Sequence, residues 1–139
     1  MTTAQVVDHP LEETAAWLSD VASDPVSFVE GAFPWGEGEL VNFDGPMEWQ
    51  RWVLEQIRDG LLTPGKAIQI AVASGHGIGK TALVCWITLW AMTTAGDTRG
   101  IITASTEAML NTRLRADCRG IRTGRNRSPV CTTPVAASL

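Results

Sequence analysis

Nine consecutive residues, Ala73-Ser74-Gly75-His76-Gly77-Ile78-Gly79-Lys80-Thr81, carry the most legible chemistry of this chain. A glycine-rich run that ends in Gly-Lys-Thr has the composition of a loop that wraps the phosphates of a nucleoside triphosphate. Backbone N–H groups of such a loop turn toward the anion, and the helix that follows adds partial positive charge from its N-terminus. Lys80 is the side chain to reach the β- and γ-phosphates, and the Thr81 hydroxyl is the ligand for Mg²⁺. Gly75, Gly77 and Gly79 free the backbone for conformations that a Cβ resists. Ser74 opens the loop where the common form has glycine, and Ile78 sits between its last two glycines. His76 could meet a phosphate as a neutral donor, or simply face solvent.

Gln50 is the second candidate. It lies 30 residues before Lys80, beside Trp49. A glutamine amide can accept from adenine N6 and donate to N7. The plainer reading is a solvent-facing amide between tryptophans. Thr103, Ser105 and Thr106 follow an apolar run, where ligands of open α/β sheets bind, or they serve as turn and cap residues. The absences count as well. Beyond Lys80 the acids are Asp97, Glu107 and Asp117, and none follows a run of four apolar residues. A P-loop ATPase places such an acid to hold Mg²⁺ through water and a further one to orient the attacking water. The chain therefore reads as the binding half of an ATPase without its hydrolytic half, and no aspartate cluster suits a two-metal nuclease.

The elements that must position these residues follow from spacing. The apolar run Ala67-Ile68-Gln69-Ile70-Ala71-Val72 predicts a strand before the loop. Lys80 to about Thr94 predicts a helix apolar on nearly every face and so buried, with Gly96 ending it. Gly100-Ile101-Ile102-Thr103-Ala104 predicts a second short strand, which makes 67–104 a right-handed βαβ unit. Ser105 is suited to cap a helix after it. Upstream, Leu11–Val21 predicts a helix with Leu11, Ala15, Leu18 and Val21 on its apolar side. Asp24-Pro25 reads as an N-cap and first helical position. Phe33 to Gly38 reads as a loop whose aromatics pack on the domain. Gly45-Pro46 opens a helix to about Gly60, with Trp49, Trp52, Val53 and Ile57 on one face. The predicted fold class is α/β: a partial P-loop parallel sheet with flanking helices. The predicted division is a helical N-terminal segment over 1–44, the partial ATPase domain over 45–115 and a basic, disordered tail over 116–139.

Composition bounds the rest. The chain has 139 residues, 45% hydrophobic and 19% charged, which fits a globular domain. Its net charge of −4 conceals a gradient. Residues 1–60 hold twelve acids against Arg51 and Arg58, whereas 113–139 hold Arg113, Arg115, Arg119, Arg122, Arg125 and Arg127 against Asp117. That basic stretch could retain DNA phosphates, and a solvated tail explains it equally. Cys85, Cys118 and Cys131 form no CxxC pair, which argues for a reducing compartment. Neither a signal peptide nor an apolar run long enough to span a bilayer is present, so the expected location is cytoplasmic, with no membrane partner.

The segments Phe33-Pro34-Trp35-Gly36, Gly45-Pro46-Met47-Glu48-Trp49-Gln50, Val72 to Thr81 and Ile102-Thr103-Ala104-Ser105-Thr106-Glu107 occur in an order and spacing that resembles the N-terminal ATPase of tailed-phage terminase large subunits. The resemblance covers about residues 25–115. It implies an additional-strand, RecA-like ATPase that drives DNA into a prohead. Lys80 and Thr81 carry over as phosphate and Mg²⁺ contacts, and Trp49-Gln50 resembles the family's adenine-reading motif. The implied partners are double-stranded DNA, the portal and the small terminase subunit, in the host bacterial cytoplasm. The sequence departs from the family in having no arginine between Ala67 and Met92. It also lacks the second acidic motif, the coupling motif and the nuclease. The expectation is therefore an ATP-binding fragment, from a truncated or frameshifted reading frame that leaves the family pattern near Arg115, inactive in hydrolysis. The rival readings are a helicase-like DNA-dependent ATPase fragment and a non-catalytic remnant that retains a P-loop.

Overall fold

A computed structural model of the chain describes residues 10–106 and residue 108. The helix expected after Ser105, the arginines from Arg113 to Arg127, Cys118, Cys131 and the tail over 116–139 lie outside the described residues. Among the described residues four α-helices follow in chain order: α1 (Pro10–Asp20), α2 (Pro25–Ala32), α3 (Glu48–Leu61) and α4 (Lys80–Thr94). A 3-10 turn, Gly38–Leu40, lies between α2 and α3.

Local sequence explains where the helices start. Asp24 caps α2: its carboxylate accepts from the N–H groups of Val26 at 3.1 Å and Ser27 at 3.4 Å. Pro25, at the first helical position, has no N–H to leave unpaired. α3 starts without a Ser, Thr or Asp cap. Instead the Gln50 side chain reaches back, and its Oε1 accepts from the Met47 N–H at 2.9 Å, as in half of a capping box. α4 starts at the left-handed Gly79, with φ of +81°.

The helices bury one shared core. α2 packs against α3 and α4, and α1 packs against α4. Val26, Phe28 and Val29 of α2 meet Val53 and Leu54 of α3 and Leu83, Trp86 and Trp90 of α4. Trp90 Nε1 donates to the carbonyl of Val21 at 3.1 Å, which ties the middle of α4 to the end of α1. The 33–38 loop packs as its aromatics suggest. Phe33 is buried, the Trp35 and Trp86 rings lie 5.7 Å apart edge to face, and Trp35 Nε1 donates to Val29 O at 3.0 Å.

The α/β expectation is overturned. Among the described residues no strand forms: 67–73 and 100–104 have no regular secondary structure, and the βαβ unit is reduced to its helix. The physical reason is pairing. A helix satisfies its backbone within itself, whereas a strand exists only through hydrogen bonds to a neighbour. Neither apolar run has such a neighbour among the described residues, and Ile68, Val72 and Ile101 remain exposed. α4 also departs from its expected burial on every side, because Val84 and Met92 face solvent. The buried face of α3 likewise differs from the expected stripe. Gln50, Val53 and Leu54 are buried with Trp49 and Ile57 partly so, while Trp52 is 53% exposed.

Candidate functional site

The segment 74–81 reaches α4 through a loop with two left-handed glycines. Gly77 and Gly79 have φ of +78° and +81°, a region that costs an L-residue about 1–2 kcal/mol. Gly79 in the left-handed region, followed by Lys80 in the helix, is the alternation that gathers consecutive N–H groups into an anion-binding concavity. α4 runs for 15 residues and has no acid in its first turn, so no carboxylate competes at its positive end. Its first intrahelical bond runs from Leu83 N–H to Gly79 O at 3.1 Å. The N–H groups of Lys80, Thr81 and Ala82 precede that bond and have no acceptor within the helix.

Lys80 folds across the loop. Its Nζ donates to the carbonyls of Gly75 at 2.6 Å and Ser74 at 3.1 Å, and the side chain is exposed. The ammonium is therefore held against the first residues of the loop by two carbonyl groups. Ser74, Gly75, His76 and Gly77 are exposed, and Ile78, Gly79 and Thr81 are half-buried. A Cβ at Gly75 or Gly77 would meet nothing within 4 Å, so the loop opens onto free space.

Gln50 occupies a different place from the one its type suggests. It is 3% exposed, a buried polar side chain within the packed helices. Its Oε1 accepts from Met47 N–H, and its Nε2 donates to Gly79 O at 3.0 Å. The structure thus brings Gln50 to the loop, 29 positions away in sequence, on the carbonyl of a loop glycine. Both atoms of the bidentate adenine contact already have backbone partners. The signal for this role was present as Gln at the third position of a helix, the capping-box position. Its second bond depends on how α2 holds α3 beside the residue that opens α4.

Thr103 is exposed on a segment without regular structure, and Ser105 and Thr106 follow in a bend. Asp97, just after α4, has φ of +56° in a turn. Among the described residues no group of three or more His, Cys, Asp or Glu could hold a metal ion together. No described helix is long and apolar enough to cross a membrane. Comparison with protein-family models, with curated proteins and with solved structures gives no match.

Proposed function

We propose that the 74–81 loop and the N-terminus of α4 bind the triphosphate of ATP with Mg²⁺. The observation that carries this reading is the arrangement of the loop: an exposed lysine bonded to the Ser74 and Gly75 carbonyls, with left-handed Gly77 and Gly79 leading into a helix N-terminus. The residues fit a phosphate chain. Open space adjoins Gly75 and Gly77, and Lys80 exchanges two carbonyl partners for charge-assisted bonds to phosphate oxygens. Thr81, in the first turn of α4, supplies a hydroxyl suited to Mg²⁺. Mg²⁺ held there would supply charge neutralisation for the phosphate chain. Ser74, His76, Ile78 and the loop glycines contribute backbone N–H groups and space.

The wider role rests on the sequence resemblance to terminase large subunits. On that basis the chain is the ATP-binding part of a viral DNA-packaging motor, with double-stranded DNA, the portal and the small terminase subunit as its partners. In this reading the chain binds nucleotide and does not turn it over at a motor's rate.

Isothermal titration calorimetry tests the binding step. A charge-assisted contact to phosphate contributes about 1.5–3 kcal/mol, so Lys80→Ala weakens ATP–Mg²⁺ binding at least about tenfold. Equal affinity in wild type and variant removes the phosphate-loop reading. No heat from either protein favours the non-catalytic remnant, a chain that keeps the motif without the ligand.

A further inference from the structure

We propose that Gln50 is a positioning residue for the phosphate loop, holding Gly79 in place, and not a reader of the base. The inference rests on the reading of 74–81 as a phosphate site. Gln50 is buried to 3% exposure at the start of α3. Its amide spans two backbones: Oε1 takes the Met47 N–H at 2.9 Å and Nε2 gives to Gly79 O at 3.0 Å. Gly79 O also accepts from Leu83 N–H at 3.1 Å. One carbonyl therefore joins the first turn of α4 to the first turn of α3. That carbonyl belongs to the residue whose φ of +81° turns the chain from loop into helix.

The contact has a steric signature. A Cβ on Gly79 would fall 2.7 Å from Gln50 Nε2, so the amide seats itself in the space that glycine leaves. Reading adenine would take Oε1 and Nε2 to N6 and N7. Oε1 keeps a second lone pair and Nε2 a second hydrogen, but at 3% exposure the amide would have to leave its buried position to lay that edge along a base. An amide that keeps its present bonds instead sets where the N–H groups of Lys80 and Thr81 point. Its effect is therefore on phosphate, whatever the base.

The experiment compares inorganic tripolyphosphate, ATP and GTP, each with Mg²⁺, by calorimetry on the full chain. Gln50→Glu retains an acceptor for Met47 N–H but sets an oxygen against Gly79 O. Gln50→Met retains the shape without either bond. Both variants are expected to weaken all three ligands alike, by about tenfold, the equivalent of one lost hydrogen bond. On a Gly79→Ala background, Gln50→Met is expected to add little further loss, because the partner it acts through is already displaced. A measurement on the wild type needs no variant: the Gln50 side-chain amide resonance should shift with tripolyphosphate and stay still with adenosine. Loss confined to ATP, with tripolyphosphate unchanged, overturns the inference and returns Gln50 to the base. Fully additive losses with Gly79→Ala, or an amide that answers adenosine alone, overturn it as well. Wild type that binds none of the three ligands removes the phosphate-site reading and this inference with it. Wild type that binds all three while Gln50 variants are unaffected removes this inference alone.

Discussion

Alanine at Gly79 should cost more than alanine at Gly77, by about the strength of one hydrogen bond. Both glycines sit in the left-handed region, at +81° and +78°. Forcing an L-residue there costs about 1–2 kcal/mol. Alanine also reduces the freedom of the unfolded chain, which returns about 0.4–1 kcal/mol at either position. These two effects nearly cancel in the comparison. The surroundings do not. At Gly77 the new methyl meets nothing within 4 Å, whereas at Gly79 it lies 2.7 Å from Gln50 Nε2. The amide must move, and its bond to Gly79 O is lost or bent, at about 1 kcal/mol. Urea unfolding followed by tryptophan emission measures both, since α3 and α4 carry Trp49, Trp52, Trp86 and Trp90. The expected difference is about 1 kcal/mol at unchanged slope. Equal losses, or a greater loss at Gly77, would refute the argument that Gln50 is seated against Gly79.

Leu54 has no exposure and Trp52 is 53% exposed, so Leu54→Ala should destabilise by about 2–5 kcal/mol while Trp52→Ser changes stability by under about 1 kcal/mol, read from the same urea midpoints. Asp24→Ala removes the cap of α2 and should cost about 1 kcal/mol by thermal unfolding, with Asp24→Asn losing less because its amide oxygen still accepts. Trp90→Phe removes one of two donors to the Val21 carbonyl, which keeps the Asp24 N–H, and should cost about 1 kcal/mol, a loss visible in the unfolding midpoint. Steady-state phosphate release by the purified chain should stay below about one turnover per second, and a faster rate abolished by Lys80→Ala would show that a catalytic carboxylate had been overlooked.

The sequence alone determined what depends on neighbours along the chain. Asp24-Pro25 marked the start of α2, and α4 runs from Lys80 to Thr94 as its apolar run and Gly96 suggested. Gly77 and Gly79 took the positive φ values that a loop of this composition invites. Capping, proline geometry and glycine's freedom act within a few residues, so they can be read from a single string. What the tertiary structure decided depends on partners far away. The runs 67–73 and 100–104 have strand composition, yet a strand is made by its neighbour, and none pairs with them among the described residues. Periodicity put Trp52 with Val53 and Ile57, whereas the packing of α2 against α3 selected Leu54 and left Trp52 in solvent. Gln50 is the clearest case. Its type suggested a donor and an acceptor waiting for a ligand, and only the packing of α3 and α4 on α2 revealed that each has a backbone partner, Gly79 and Met47, in a buried position. A side chain's chemistry is written in its name, but which atoms remain to act is settled by the contacts that folding makes.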